Sequence, residues 1–199
     1  MNSLEQRIRQ NAVKFGLLLG AILLTLTIIS FYTITRLTAA ALWFIIAPIL
    51  FSFIIPIVSV VLICFTVRKR IGGYWNMRQA TTGIFIMFII AYAIQTGGRD
   101  LIFAKLIEPQ MVQKTEDAFL KANTFIKTQG GAKPQQIADS EIEIKKEFED
   151  QKHVSVAGVI QGIFISIILV FVLALIFGAL FKREPPLYAA PTVIEPGQE

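Results

Sequence analysis

The side chains that could do chemistry are few and far apart. Cys64 is the only cysteine and His153 the only histidine in 199 residues. A metal site, or a nucleophile activated by a base, needs several such groups within reach of one another, and neither residue has a second His or Cys at ligand spacing. Carboxylates gather in one place, at Glu141, Glu143, Glu147, Glu149 and Asp150, where oxygen ligands would suit a hard cation. Lys145, Lys146 and Lys152 are interleaved with them, so the run reads as a solvated helix face. No catalytic residue, cofactor site or metal ligand is predicted, and the chain reads as a non-enzyme; Glu147 and His153 would be the first positions to test against that.

The rest of the chain is dominated by apolar runs. Residues 15–35, 37–67, 79–98 and 154–181 contain no charged side chain, and each is at or beyond the roughly 20 residues that a helix needs to cross a bilayer. Charged residues make up 17% of the chain, against about 25% in a soluble domain. The expectation is an all-α membrane protein with four transmembrane helices and a helical extracytoplasmic segment, residues 99–153, between the third and fourth. Residues 1–14 form the N-terminus, residues 15–183 one membrane domain, and the proline-punctuated residues 184–199 a disordered tail, with Tyr188 and Val193 as its possible contacts to a cytoplasmic partner. Ala39, Ala40 and Ala41 imitate a signal-cleavage site, but the first run exceeds the 7 to 15 apolar residues of a signal peptide and reads as an uncleaved span. Cys64 falls inside the second span as a small packing residue.

A net charge of +5 would suggest nucleic acid in a soluble protein. Here the basic residues sit at the ends of apolar runs, so the bilayer is the predicted partner and nucleic acid is not. Arg7, Arg9 and Lys14 precede the first span, Arg68, Lys69, Arg70 and Arg78 join the second to the third, and Lys182 and Arg183 follow the fourth. Lys and Arg near span ends stay on the cytoplasmic side. Both termini are therefore expected in the cytoplasm, and residues 99–153 outside.

Three features mark candidate contact sites. The loop carrying Arg68, Lys69, Arg70, Tyr74, Trp75 and Arg78 combines cations, which attract anionic headgroups, with aromatics suited to the membrane interface. Gly72 and Gly73 allow a turn there that also permits a specific lipid or protein contact. In the second span, Pro48 and Pro56 each lack a backbone donor and free the carbonyls of Phe44 and Ser52, giving either a kink satisfied by Ser52 and Ser59 or a broken helix lining a site. In the fourth span, every fourth residue from Gly158 through Gly162, Ser166, Val170, Ala174 and Gly178 is small almost throughout, a ridge suited to close helix packing. Gly16 and Gly20 give the first span a shorter version. Such ridges serve either contacts within one bundle or association with a second copy or another membrane protein.

Outside the spans, two helices are expected. The first starts at Pro109 and is closed by Gly130 and Gly131; the second starts at Ser140, where Glu143 completes a capping box, and continues toward the fourth span.

The four spans in this order, the basic loop leading through Gly72, Gly73 and Tyr74 to Gln79 and Ala80, the segment containing Gln135, Gln136 and Ile137, and the glycine-rich last span ending in Lys182 and Arg183 resemble a bacterial family of small inner-membrane proteins, the domain-of-unknown-function 4199 family. The likeness covers most of residues 13–183; Arg78 and Thr82 depart from the small residue and the lysine common there. The resemblance implies a bacterial inner-membrane location and a four-span topology, and no reaction. The reading that follows from the residues is a non-catalytic subunit or adaptor of a membrane assembly. The alternatives are a component of a small-molecule or lipid transporter or channel, and an accessory to a membrane enzyme handling polyprenyl-linked sugars.

Overall fold

In hydrocarbon, a chain segment must pair its backbone N–H and C=O groups within itself, which an α-helix does. The computed structural model describes residues 3–36, 46–152 and 155–184. Among these residues six helices follow one another: α1 Ser3–Arg36, α2 Ile46–Arg70, α3 Met77–Ile107, α4 Met111–Gln129, α5 Pro134–Lys152 and α6 Val156–Phe181. Helices α1, α2, α3 and α6 are long and apolar enough to cross a membrane, and the described residues contain no strand. The chain is an all-α, multi-pass membrane protein. The alanines at 39–41, Phe44, His153 and the tail from 185 onward lie outside the described residues.

Several helix boundaries differ from the sequence reading. Helix α1 is continuous from Ser3, so residues 3–14 belong to the same helix as the first apolar run. Helix α3 does not stop at Gly98 but winds on as a π-helix over Gly98–Ile107. Tertiary packing holds this extension: Phe103 is buried and meets Phe31 and Tyr32 edge-on at centroid distances of 5.2 and 5.9 Å. Pro109 sits in the turn before α4. Helix α5 begins at Pro134, not Ser140. Ser140 lies inside it, donating to the Ile137 carbonyl and accepting from Asn123 Nδ2, so the predicted capping box is not one. Helix α5 does not continue unbroken into α6, because Ser155 is extended (φ −66°, ψ 156°) and its hydroxyl caps α6 by accepting from the Gly158 N–H.

The bundle is organised around α3, which packs against α1 on one side and α6 on another, while α2 lies against α1. Close approach of α1 and α3 depends on two glycines. A methyl group at Gly16 would come within 2.9 Å of the Met87 carbonyl oxygen, and one at Gly20 within 2.8 Å of Ile94 Cβ. Leu19, Cys64, Ile84 and Met87 fill the core between these helices. Helices α4 and α5 form a hairpin at the end of the bundle far from Ser3, joined by Phe119 against Phe148 and by Thr124 donating to Glu141 at 2.6 Å.

Candidate functional site

The start of α1, the end of α2, the start of α3 and the end of α6 meet at one end of the bundle, and the connection between α2 and α3 ties them together. Gly72 and Gly73 adopt φ of 110° and 86°, a region that side chains resist, and they turn the chain back toward the core. Asn76 then caps α3 in a reciprocal box with Gln79, satisfying helix N–H groups that lack intrahelical partners. The sequence reading places Trp75 at the lipid interface, but the structure buries it to 2% exposure. Its indole N–H donates to the Phe181 carbonyl at 2.7 Å, and its backbone forms an isolated antiparallel bridge with Arg183. A tryptophan beside cations is commonly an interface residue; here the glycine turn directs it inward.

The basic residues around this loop divide between structure and solvent. Arg7 donates to the Arg70 carbonyl at 2.7 Å, and the Arg70 guanidinium lies over Phe15 at 5.1 Å. Arg68 covers Phe65 at 5.3 Å, and Arg183 lies 5.8 Å from the Tyr74 ring. Lys69 and Arg78 are exposed. Arg78 borders a shallow hollow of about 180 Å³ that also includes Glu5, Arg9 and Gln79. The cluster gives this end of the bundle a basic rim around a tryptophan-locked floor.

The small residues of α6 do not act as one surface. Ala174 and Gly178 are buried, and a methyl group at Gly178 would collide with the Thr81 side chain and lie 3.1 Å from its Cα. Gly162 has nothing within 4 Å and is exposed, while Gly158 and Ser166 are half-buried. Helical geometry explains the split, since residues advance about 100° each and the sixteen positions from Gly162 to Gly178 place the two about 160° apart. In contrast, Gly16 and Gly20 share one face of α1 and both meet α3.

In α2 the two prolines flank a short π-helix, Leu50–Ile54, where the Ile55 N–H reaches back five residues to the Leu50 carbonyl. Ser59 donates to Ile55, not to Ser52, so it does not supply the partner expected for the carbonyl that Pro56 leaves free.

Among the described residues, no three His, Cys, Asp or Glu side chains come together as a metal site. Glu141 is engaged by Thr124. What the described side chains hold in place is a set of helix-contact and hydrogen-bonding surfaces. A family model described as "Protein of unknown function (DUF4199)" matches residues 14–183, nearly the whole membrane domain. The chain belongs to this family. No curated protein and no solved structure matches it. Three features of this member escaped the sequence reading: the inward Trp75, the buried Thr81 hydroxyl that lacks a partner, and the hollow that Ser30 and Ser52 line beside the π-helix of α2. The sequence reading anticipated a turn at Gly72 and Gly73 but not the cap that follows it, for which the three-residue spacing of Asn76 and Gln79 was the available signal.

Proposed function

We propose that this protein is a non-catalytic subunit or adaptor of an assembly in the bacterial inner membrane, with both termini cytoplasmic and α6 as its docking helix. The observation that carries this reading is the free half of α6. Its Ala174 and Gly178 are used against α3, whereas Gly158, Gly162 and Ser166, farther from the basic end, present a small face with open space at Gly162. Lipid chains are as apolar as leucine, so a small-residue groove gains by admitting another helix at close range. A transmembrane helix of a partner protein, or α6 of a second copy, fits that groove.

The basic rim at the opposite end supports the orientation, because Lys and Arg are retained on the cytoplasmic side. The test is a photo-crosslinking residue at position 162, compared with one at 168 on another exposed part of α6, in native membranes. A discrete adduct from 162 and none from 168 supports the reading. Equal smears of lipid adducts from both would overturn it.

A further inference from the structure

Hydroxyl groups within the spans fall into two kinds. Thr25, Thr27, Thr33, Thr35, Ser59 and Thr66 each donate to the carbonyl four residues earlier at 2.8 or 2.9 Å, a common state for such a group in an apolar helix. Ser30, Ser52 and Thr81 are among those that make no such bond. Ser30 is only 8% exposed, and its hydroxyl has no hydrogen bond among the described residues. Both serines line one hollow of about 270 Å³ between α1, α2 and α3, with Ser30 inside it and Ser52 at its exposed rim.

The other walls reinforce the pattern. Thr27, already donating to Leu23, accepts from Gln95 Nε2 at 3.3 Å, and the Gln95 amide oxygen has no partner among the described residues. Pro56 has no N–H to give. In an α pattern the Ser52 carbonyl loses its donor, and in a π pattern the Phe51 carbonyl loses it; Phe51, Ser52 and Pro56 all line the hollow. Polar groups that line a hollow at membrane depth gain from an occupant that hydrogen-bonds to them. None of the lining groups is charged, and an ion would enter without a countercharge at high desolvation cost. The volume lies below the roughly 300 to 1,000 Å³ of pockets for drug-sized ligands. The Phe51 ring and Pro56 add apolar walls, which suit a small organic solute better than water alone.

We propose that this hollow binds a small uncharged molecule bearing several hydroxyl or amide groups, held by Ser30, Ser52 and Gln95 and reached from the end of the bundle that carries α4 and α5. Ser30 is six residues from Arg36 at the end of α1, about 9 Å along the axis, so the site is within reach of that face. The proposal stands apart from the docking role of α6, since it concerns α1, α2 and α3.

The test uses the full chain in lipid vesicles with Cys64→Ala removing the native thiol and Leu23→Cys placing a reporter on the wall of the hollow, at a lining residue that holds no part of the solute. Alkylation by N-ethylmaleimide, which is uncharged, is timed with and without erythritol as the probe, and with sodium acetate as a charged control. Erythritol at about twice its dissociation constant should slow labelling about threefold, because only vacant sites react. Acetate should have no effect, and adding Ser30→Ala should abolish protection. Unchanged rates would mean the hollow holds water only, an unreactive Leu23→Cys that the hollow is closed, and protection by acetate or surviving Ser30→Ala that the solute acts elsewhere; each overturns the proposal. Polyols also stabilise proteins by exclusion from their surface, so melting temperatures in erythritol are compared between Ser30→Ala and the parent protein, both with Cys64 intact. A larger gain in the parent supports the site, and equal gains count against it.

Discussion

The indole N–H of Trp75 donates to the main-chain carbonyl of Phe181 at 2.7 Å, joining the loop before α3 to the last turn of α6. The final carbonyls of a helix have no intrahelical partner, so this contact completes α6 from outside. Two backbone hydrogen bonds with Arg183, at 2.9 and 3.0 Å, extend the junction. Phe65 of α2 meets Phe181 edge-on at 4.9 Å. Trp75 is thus the point at which three spans are held together at the basic end.

Replacing Trp75 by Phe keeps an aromatic ring but removes the donor and leaves a buried carbonyl unpaired. The expected loss of stability is about 1 to 3 kcal/mol, and Trp75→Ala should cost about 3 to 5 kcal/mol because a cavity is added. Thermal denaturation in detergent measures both. If Trp75→Phe melted like the parent protein, the hydrogen bond would carry no net stability.

Thr81 gives the opposite expectation. Its hydroxyl is buried at the α3–α6 contact with no hydrogen-bond partner. Thr81→Val removes the hydroxyl while keeping a branched side chain of similar size, so stability should hold or rise by about 1 kcal/mol. A clear fall in melting temperature would show that the hydroxyl is partnered in the membrane, by water or by a second chain.

The spans could be read from the sequence because long uncharged apolar runs have few alternatives to crossing a bilayer, and the α1 glycines Gly16 and Gly20 because their four-residue spacing keeps them on one face. Features decided by tertiary context were harder to read. Gly97 and Gly98 followed by Arg99 and Asp100 look like a helix terminus, yet α3 continues because Phe103 has Phe31 and Tyr32 to pack on. Ser140 and Glu143 match a capping box locally, but Asn123 of α4 engages Ser140 in mid-helix. Trp75 was indistinguishable from an interface anchor without knowing how Gly72 and Gly73 turn. The hollow at Ser30 draws on three helices, and no local pattern in any one of them announces it.

Orientation yields a separate prediction. The basic residues at the Trp75 end should face the cytoplasm, so reporter fusions at either terminus should be active there, whereas one inserted after Lys114 in α4 should be accessible only from outside. A Lys114 fusion accessible only from the cytoplasm would invert the arrangement.

The two ends of the α6 ridge should respond differently to the same substitution. Gly178→Leu places a branched side chain against Thr81, where even a methyl group would collide, and overpacking typically costs about 1 to 3 kcal/mol. It should lower the melting temperature of the isolated chain. Gly162→Leu enters open space and should leave that temperature unchanged, as should Ile168→Leu on a lipid-facing position. If α6 docks on another helix through its small face, Gly162→Leu should reduce assembly, measured as the mass of the complex extracted from native membranes, while Ile168→Leu leaves it intact. Loss of monomer stability in Gly162→Leu would place α6 against its own bundle along its whole length. Retention of both stability and assembly would leave Gly162 facing lipid, and the docking role of α6 would fall.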